Sequence, residues 1–575
     1  MVCVVKTSIA ARALIVTLAI GTLLGTSSAP AAAAAPAGGT QLLRIPFPQY
    51  DGGLTPYTFE LAYPLMTLVY DTLLWRDVNG VPRPWLARSV QRSRGGRRLT
   101  VRLRADARWH DGRPVTAADV AFTFGYMARR YQPRFTPQLN DILRVTATGR
   151  LEATIDLRRP SLGFDDQPLA DVPILPRHLW QGLPRGRSAP AGQAIGSGPY
   201  RLVRATKKRG YVLRANSRYF RGAPRVREIR VPIVGDAEDT YDALRRRKVD
   251  LVPLGLPRGI ARRLESLAGI AVARGTSYAG TQLLLNVRRA PFDDPRARRA
   301  LAAALNLQRI VRNVAPAEAA VGGFVHPASQ WAADAAVQST DEALARRDFA
   351  ELGLPSVRVL APENDPVRAE AGEQVAIAIR RAGGRATVVE VSSRELGNTI
   401  GEDGSPGDFE AAITTIPALV SRDPDYLRAM FASSSRLAPL NFSGYRSAAF
   451  DAAARRVASA PDDGARRRAI LAELKLLAHD APAIPLFFSE GAFAYRSEIF
   501  GGGTFVKGTG ILDKRSFLER GALPSSRRTA AAPAAGDDGD DGDSAFGIVN
   551  VISLIALAIV VALAVLALLQ RRRRG

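Results

Sequence analysis

The chain has 575 residues, of which 46% are hydrophobic, and its 79 Lys and Arg against 54 Asp and Glu give a formal net charge of +25. That length predicts about three structural units, because one hydrophobic core rarely organises more than ~250 residues. The single Cys, Cys3, excludes a disulfide scaffold, a four-cysteine zinc site and iron–sulfur chemistry. Only seven of the cations are Lys, so the charge indicates an Arg-rich composition rather than a binding surface.

The first 35 residues have the pattern of a secretory signal peptide. Lys6 and Arg12 precede an apolar run over 13–25, and small residues follow it, with cleavage predicted between Ala31 and Ala35. The run is shorter than the ~20 residues that a membrane-spanning helix needs. Because no Cys follows the run, the pattern is not that of a lipoprotein.

The other end carries a second apolar stretch, 547–570, followed directly by Arg571 to Arg574. As a helix it would be about 36 Å long, enough to cross a bilayer. The four Arg predict a cytoplasmic tail, 571–575, so the predicted localisation is the cell membrane, single-pass, with the body on the extracellular side. Five Asp interleaved with Gly predict a flexible acidic stalk over 521–546, and their spacing lacks the register of a calcium-binding loop.

The body between these ends mixes strand and helix patterns. Alternating apolar residues predict a strand over 99–104, and Thr116-Ala-Ala-Asp119 predicts the capped start of a helix. A strand over 357–361, a helix over 366–382 and a strand over 386–391 form a strand–helix–strand unit, which implies a parallel sheet. The body is therefore predicted to be α/β.

No catalytic or cofactor motif is present in this sequence. The four His lie far apart, no Gly-x-Ser-x-Gly elbow occurs, and Gly503 to Gly508 lacks the register of a phosphate-binding loop. His110, in Trp-His-Asp-Gly, is interpreted as part of a turn rather than of a catalytic dyad. These observations predict a binding protein with no cofactor and no metal, and not an enzyme.

Several ordered blocks of the body resemble one family, the extracellular solute-binding proteins of peptide-type ABC importers (family 5). The blocks are Val69-Tyr-Asp-Thr-Leu-Leu, Gly80-Val-Pro-Arg-Pro-Trp-Leu-Ala-Arg-Ser, Trp109-His-Asp-Gly-Arg-Pro-Val-Thr-Ala-Ala-Asp-Val-Ala-Phe, Ile174-Leu-Pro-Arg-His, Gly196-Ser-Gly-Pro-Tyr-Arg-Leu, Pro291-Phe-Asp-Asp-Pro and Asp480-Ala-Pro-Ala-Ile-Pro-Leu. The resemblance covers roughly residues 40–515.

The resemblance implies an α/β, two-lobed fold like that of type II periplasmic binding proteins. Lobe I would comprise 36–278, with an extra subdomain near 62–195, and a return segment, 484–520. Lobe II would comprise 279–483, with hinges near 275–282 and 480–485. The ligand would bind between the lobes of a monomer, and the closed form would dock on an ABC permease with its ATPase.

One block departs from the family pattern. In peptide binders of this family, Trp-x-x-Asp just before Asp-Pro-Asp supplies the carboxylate that pairs with the ligand's α-ammonium, whereas here Pro417 and Val420 occupy those positions. Either Asp423 or Asp425 substitutes, or the ligand has no free amino terminus there, and we favour the second interpretation. The ligand is therefore predicted to be a peptide or another small polar solute, such as a sugar or a metal complex.

The predicted ligand-binding residues are Tyr278, Gln282, Phe324, Asp423, Asp425 and Tyr426. For each aromatic among them, packing in a hydrophobic core is the alternative. The predicted function is a membrane-tethered, extracellular substrate-binding component of an ABC importer. A ligand-sensing or scaffold protein with the same fold but no transporter is the alternative, and nucleic-acid binding is disfavoured because the Arg are scattered along an exported body.

Overall fold

The structure is a computed structural model in which 40–519 are described, apart from 60–61, 94, 133, 184–193, 236, 254–255, 257, 316, 334–338, 403–404, 417–422, 435–437 and 502. The predicted signal peptide, acidic stalk, membrane span and basic tail lie outside the described residues. The same holds for Pro417 and Val420, on which the departure from the family pattern was based.

Strands and helices alternate along the described residues. The strands are β1 (Leu42–Arg44), β2 (Leu74–Arg76), β3 (Pro82–Pro84), β4 (Ala87–Arg92), β5 (Arg98–Leu103), β6 (Ile142–Ala147), β7 (Glu152–Leu157), β8 (Tyr200–Thr206), β9 (Gly210–Ala215), β10 (Glu228–Val231), β11 (Ile270–Leu285), β12 (Ala317–Ala319), β13 (Val357–Pro362), β14 (Ala386–Val391), β15 (Ala411–Ile416) and β16 (Ala483–Arg496). The helices are α1 (Tyr63–Val69), α2 (Ala117–Arg129), α3 (Arg177–Trp180), α4 (Ala237–Arg245), α5 (Arg258–Glu265), α6 (Pro295–Ala304), α7 (Leu307–Val314), α8 (Glu342–Leu352), α9 (Pro366–Arg381), α10 (Ser393–Ile400), α11 (Tyr426–Phe431), α12 (Ala448–Ala458), α13 (Asp463–Asp480), α14 (Ser497–Phe500) and α15 (Lys514–Leu518). A 3₁₀ turn spans Thr136–Leu139, and an irregular helical turn spans Asp165–Leu169.

The first lobe is built on two four-stranded sheets. One has the order β1-β10-β9-β8, and the other has the order β4-β5-β7-β6. β5 shows why the sequence folds this way: Leu99, Val101 and Leu103 are buried while Arg98 and Arg102 are exposed, as the alternation predicts. One hydrophobic cluster joins both sheets.

The second lobe is built on one six-stranded sheet with the order β12-β16-β11-β15-β13-β14. β13 and β14 pair in parallel and are connected by α9, which confirms the predicted strand–helix–strand unit. Two hydrophobic clusters pack against this sheet. They bury α9 with α6 and α7 in one cluster, and α12 with α13 in the other.

Two long strands pass from one lobe to the other. β11 and β16 pair antiparallel from Ile270 opposite Arg496 to Leu284 opposite Ala483, with a register shift between Thr276 and Gly280. Gly280 has no room for a side chain, because a Cβ would lie 2.5 Å from the Ile416 side chain. We call the described residues up to Thr276 and from Ser489 onward lobe I, and 280–488 lobe II. The boundaries predicted from the sequence stay predictions.

The helices of the described ranges have between 4 and 18 residues. None of them is long and apolar enough to cross a membrane. The 18-residue α13, for example, buries Ile470, Leu474 and Leu477 together with the charged Arg466 and Glu473. This finding corrects the predicted localisation, a cell-membrane protein held by one C-terminal helix, and that localisation is not retained. The segment that carried the prediction, 547–570, lies outside the described residues.

Candidate functional site

Tyr278 lies where β11 crosses between the lobes. Its side chain is 3% exposed, and its ring meets the His326 ring edge to face, with the centroids 5.3 Å apart. The His326 ring also lies 5.0 Å from the Phe488 ring. Burial lowers the pKa of His326 to about 4, so its imidazole is neutral at neutral pH. Tyr278 is thus held in a rigid aromatic group at the crossing.

Gln282 lies two residues after Gly280 on the same strand and is also buried. Its amide nitrogen donates to Thr414 Oγ1 at 3.1 Å and to the Thr415 carbonyl at 3.3 Å. The carbonyl accepts only, so these contacts fix which end of the amide is the nitrogen. The Gln282 Oε1 has no hydrogen-bond partner among the described residues. A buried acceptor without a partner is unfavourable unless something else donates to it.

Phe324 and Tyr426 are packed together in lobe II. The Tyr426 hydroxyl donates to the Phe324 carbonyl at 2.7 Å, and the Phe324 ring meets the Phe431 ring at 5.1 Å. Both side chains belong to the hydrophobic cluster that covers one face of the six-stranded sheet. Burial raises the pKa of Tyr426, so the phenol stays protonated. The two residues therefore have the geometry of a core contact.

Asp423 and Asp425 each form an ion pair with an Arg of their own lobe. Asp423 accepts two hydrogen bonds from Arg466, at 2.6 and 2.7 Å, and both side chains are 4% exposed. Asp425 accepts from Arg428 at 2.6 and 3.2 Å. Burial alone would raise the pKa of the Asp425 carboxyl, but the Arg428 guanidinium outweighs it and holds that pKa below its ordinary value. The Asp425 carboxylate is therefore charged, and each of the two carboxylates is already paired with a guanidinium.

The same cluster contains Glu473 of α13, which the sequence did not single out. Its side chain is 1% exposed, and Oε2 has no hydrogen-bond partner in the described part of the chain. Burial, with the neighbouring carboxylate of Asp425, raises the pKa of Glu473 well above its ordinary value. Both effects disfavour the charged form, so the geometry favours a protonated carboxyl here.

The loop between 196 and 200, which begins one of the blocks that resemble the family, packs against α1. A Cβ on Gly196 would lie 1.9 Å from the Val69 carbonyl oxygen. His110 holds this loop: its Nδ1 accepts from the Gly196 N–H at 3.2 Å, so Nε2 carries the proton and donates to the Gly198 carbonyl at 3.0 Å. His110 is therefore structural, as the turn interpretation predicts.

No three metal-ligating side chains come together within the described ranges. Around the crossing, the described residues supply aromatic rings and the Gln282 amide oxygen, which has no hydrogen-bond partner among them. They also supply two carboxylates, Asp423 and Asp425, each paired with an Arg of the same lobe. Such groups can contact a solute through ring faces and hydrogen bonds.

Part of the chain matches the model of a known protein family. Residues 81–437, more than half of the chain, match the model of the bacterial extracellular solute-binding proteins, family 5 (middle region). The chain belongs to this family. Its two-lobed α/β architecture agrees with the membership, as the resemblance implied.

Relatives of this family-5 protein have low sequence identity. The probable D,D-dipeptide-binding periplasmic protein DdpA of Escherichia coli is 24% identical over 426 residues, which cover 72% of this chain and 81% of that protein. The oligopeptide-binding protein AppA of Bacillus subtilis is 22% identical over 279 residues, 48% of this chain and 51% of that protein. The chain thus spans about half of the length of that second relative.

Solved structures of similar fold include AppA from Bacillus subtilis in complex with a nonapeptide. Its TM-score is 0.75 at 20% identity, covering 84% of this chain and 99% of that one. NikZ from Campylobacter jejuni in complex with Ni(L-His) has a TM-score of 0.69 at 21% identity, covering 80% of this chain and 94% of that one. At these identities the likeness shows the fold alone.

Sequence reasoning on the family-5 pattern missed the partners of the two predicted carboxylates. Arg466 lies in the run Arg466-Arg-Arg, whose other members are exposed, so nothing in the sequence distinguishes it. The Arg466 guanidinium also lies over the Trp331 ring, 4.8 Å from its centroid. The two contacts of Arg466, with Asp423 and with Trp331, join segments more than 40 residues apart, and only the folded chain brings them together.

Proposed function

We propose that this protein binds a peptide or another small polar solute between its lobes and delivers it, as a monomer, to an ABC importer. The observation that carries the proposal is the double crossing of β11 and β16, since two strands linking two separate cores allow the lobes to close on a ligand. Family membership supports it, and so do the relatives named for oligopeptides and dipeptides.

We further propose that the ligand presents no free ammonium to the Asp423 region. Asp423 and Asp425 are the carboxylates nearest to the position at which the family pattern lacks its Asp, and each is matched by an Arg. An ammonium brought to either would have to displace a guanidinium that donates two hydrogen bonds. The charge-assisted hydrogen bonds lost by the guanidinium outweigh the one gained by the ammonium, so solutes without an ammonium at this position are favoured.

Of the predicted residues, Tyr278 and Gln282 are proposed as direct contacts. Gln282 Oε1 supports this assignment because a ligand N–H or O–H would satisfy it. Phe324, Asp423, Asp425 and Tyr426 are proposed to shape the wall behind the ligand, since their polar groups are occupied within lobe II.

The test is a thermal-shift screen of the full-length protein, with native mass spectrometry as a second measurement. The panel contains tetrapeptides with free and acetylated amino termini, disaccharides and nickel–histidine. A binder at 100 times its Kd stabilises the fold by about 2.7 kcal/mol. We expect acetylation to change affinity by less than about tenfold. Gln282→Met, which keeps the size but removes the acceptor, should weaken binding.

Two results would count against the proposal. A flat response to every class of compound contradicts solute binding itself. A peptide hit that loses more than about a hundredfold on acetylation contradicts only the statement about the ammonium. Exposed Gln181→Met of lobe I is the control for Gln282→Met.

A further inference from the structure

Segments of the two lobes face each other beside the Asp423 ion pair. On the lobe I side lie residues 159–166, which include the start of the irregular turn Asp165–Leu169. On the lobe II side lie Asp423 and the start of α11. Pairs of opposite charge interact electrostatically across this contact: Asp166 with Arg466, Asp141 with Arg428, and Arg159 with Asp425. The facing surfaces are thus complementary in charge.

Gly163 is the closest point of this contact. A Cβ placed on Gly163 would lie 2.4 Å from Asp423 Oδ2 and 2.8 Å from its Cγ, far inside van der Waals distance. The backbone of Gly163 is not in the left-handed region, so an Ala would be conformationally permitted there. Glycine is required here because the opposite lobe leaves no room for a side chain, and not because of the local backbone conformation.

The carboxylate of Asp423 has no freedom to give way. It accepts two short hydrogen bonds from Arg466 and a third, at 3.0 Å, from the Asp425 N–H. Arg466 is itself buried, with its guanidinium 4.8 Å from the Trp331 ring centroid. Moving the carboxylate aside would break charge-assisted hydrogen bonds in a buried site.

We propose that Gly163 and the rigid Asp423–Arg466 pair form an interlobe stop that sets how closely the two lobes approach in the closed state. Gly163 is therefore a positioning residue for closure, acting from lobe I on a pair that lies wholly in lobe II. The stop rests on the proposed function, because it matters only if the lobes open and close. It also implies that closure weakens with salt, since the facing charges are screened.

The test measures the distance between the lobes directly. Full-length protein with Cys3→Ser carries spin labels at Lys208→Cys in lobe I and Arg394→Cys in lobe II, both exposed positions. We expect a distance population that matches the present separation of these positions. Gly163→Ala should shift that population to longer distances and reduce the closed fraction by about tenfold. Raising NaCl from 0.1 to 1 M, which shortens the Debye length from ~10 to ~3 Å, should reduce it as well.

Gly182→Ala is the matched control, since Gly182 is a lobe I glycine with no atom within 4 Å of an added Cβ. It should leave the distance distribution unchanged. If Gly163→Ala has the parent distribution, or if the parent has no population at the present separation, the proposal is overturned.

A second variant separates the stop from a folding defect. Asp423→Ala with Arg466→Met removes the obstacle without leaving a lone buried charge. Combined with Gly163→Ala, it should restore the short-distance population, and failure to do so also contradicts the proposal. Because no ligand is needed for these distances, a negative result here is distinguishable from a failure of solute binding.

Discussion

At the scale of single residues, the buried carboxyl group of Glu473 should make the stability of this protein depend on pH. Glu473 is fully enclosed in lobe II with no hydrogen bond to Oε2, while the neighbouring Asp423 is satisfied by Arg466. Burial and the nearby carboxylates raise the pKa of Glu473 above the ordinary value of 4.5. At Glu473 the folded chain therefore keeps a proton that the unfolded chain loses as the pH rises above 4.5.

Glu473→Gln tests this assignment. The stability contributed by protonated Glu473 is lost as the pH rises from 4.5 through the folded-state pKa, because burying the charged form is unfavourable. The amide cannot ionise, so the variant should gain about 1–3 kcal/mol over the parent at pH 8 but little at pH 4.5. Urea unfolding at the two pH values measures the difference. Exposed Glu318→Gln should show no such pH dependence, and an equal gain at both pH values would contradict the assignment.

At the scale of single elements, the N-terminal cap of α2 is the most informative contact. The capping box predicted at Thr116 is present: the Asp119 carboxylate accepts from the Thr116 N–H at 2.8 Å. What the sequence did not predict is that the other oxygen of Asp119 accepts from the Arg177 N–H at 2.9 Å, so one side chain joins α2 to α3.

Asp119→Ala should therefore cost more than an ordinary cap. Loss of the cap alone costs about 1 kcal/mol, and leaving the Arg177 N–H without its acceptor adds about 1–3 kcal/mol. Chemical denaturation with a two-state fit is the measurement. Asp463→Ala, which removes an exposed first-turn acid of α13, is the control and should change stability by less than about 0.5 kcal/mol. A cost for Asp119→Ala no larger than the control's would show that the double role is wrong.

At the scale of the whole molecule, lobe I is closed by a segment that returns after lobe II. Lys514 of α15 is fully buried and donates to Asp71 Oδ1 at 2.7 Å, across more than 400 residues of sequence. Asp71 also accepts from Trp85 Nε1 and from the Tyr219 hydroxyl. The pair joins the returning segment to the connection between α1 and β2.

Lys514→Met should destabilise the protein by about 3–5 kcal/mol, because it leaves the Asp71 carboxylate buried with no cation. Lys507→Met, at an exposed Lys of the same segment, should be nearly neutral. Thermal unfolding of the full-length variants gives the comparison. Similar melting temperatures for both would mean that the buried pair does not hold the return segment in place.

The sequence predicted the elements of this fold better than the details of the site. β5, the capped start of α2, and the unit β13, α9 and β14 follow from local patterns along the chain. The positions of Asp423 and Asp425 were also visible in the sequence. The partner of Asp423 was not, because Arg466 has no local pattern that separates it from the many other Arg of the chain, whereas Arg428 follows Asp425 at the local i,i+3 spacing.

The sequence by itself determined the α/β class, the two-lobed family fold and the absence of a recognisable catalytic motif, since these depend on periodicity and on ordered blocks along the chain. Only the tertiary structure decided that Arg466 pairs with Asp423, that Glu473 is enclosed, and that Gly163 lies against Asp423. The physical reason is that charge pairing, desolvation and steric contact depend on distances between segments far apart in sequence.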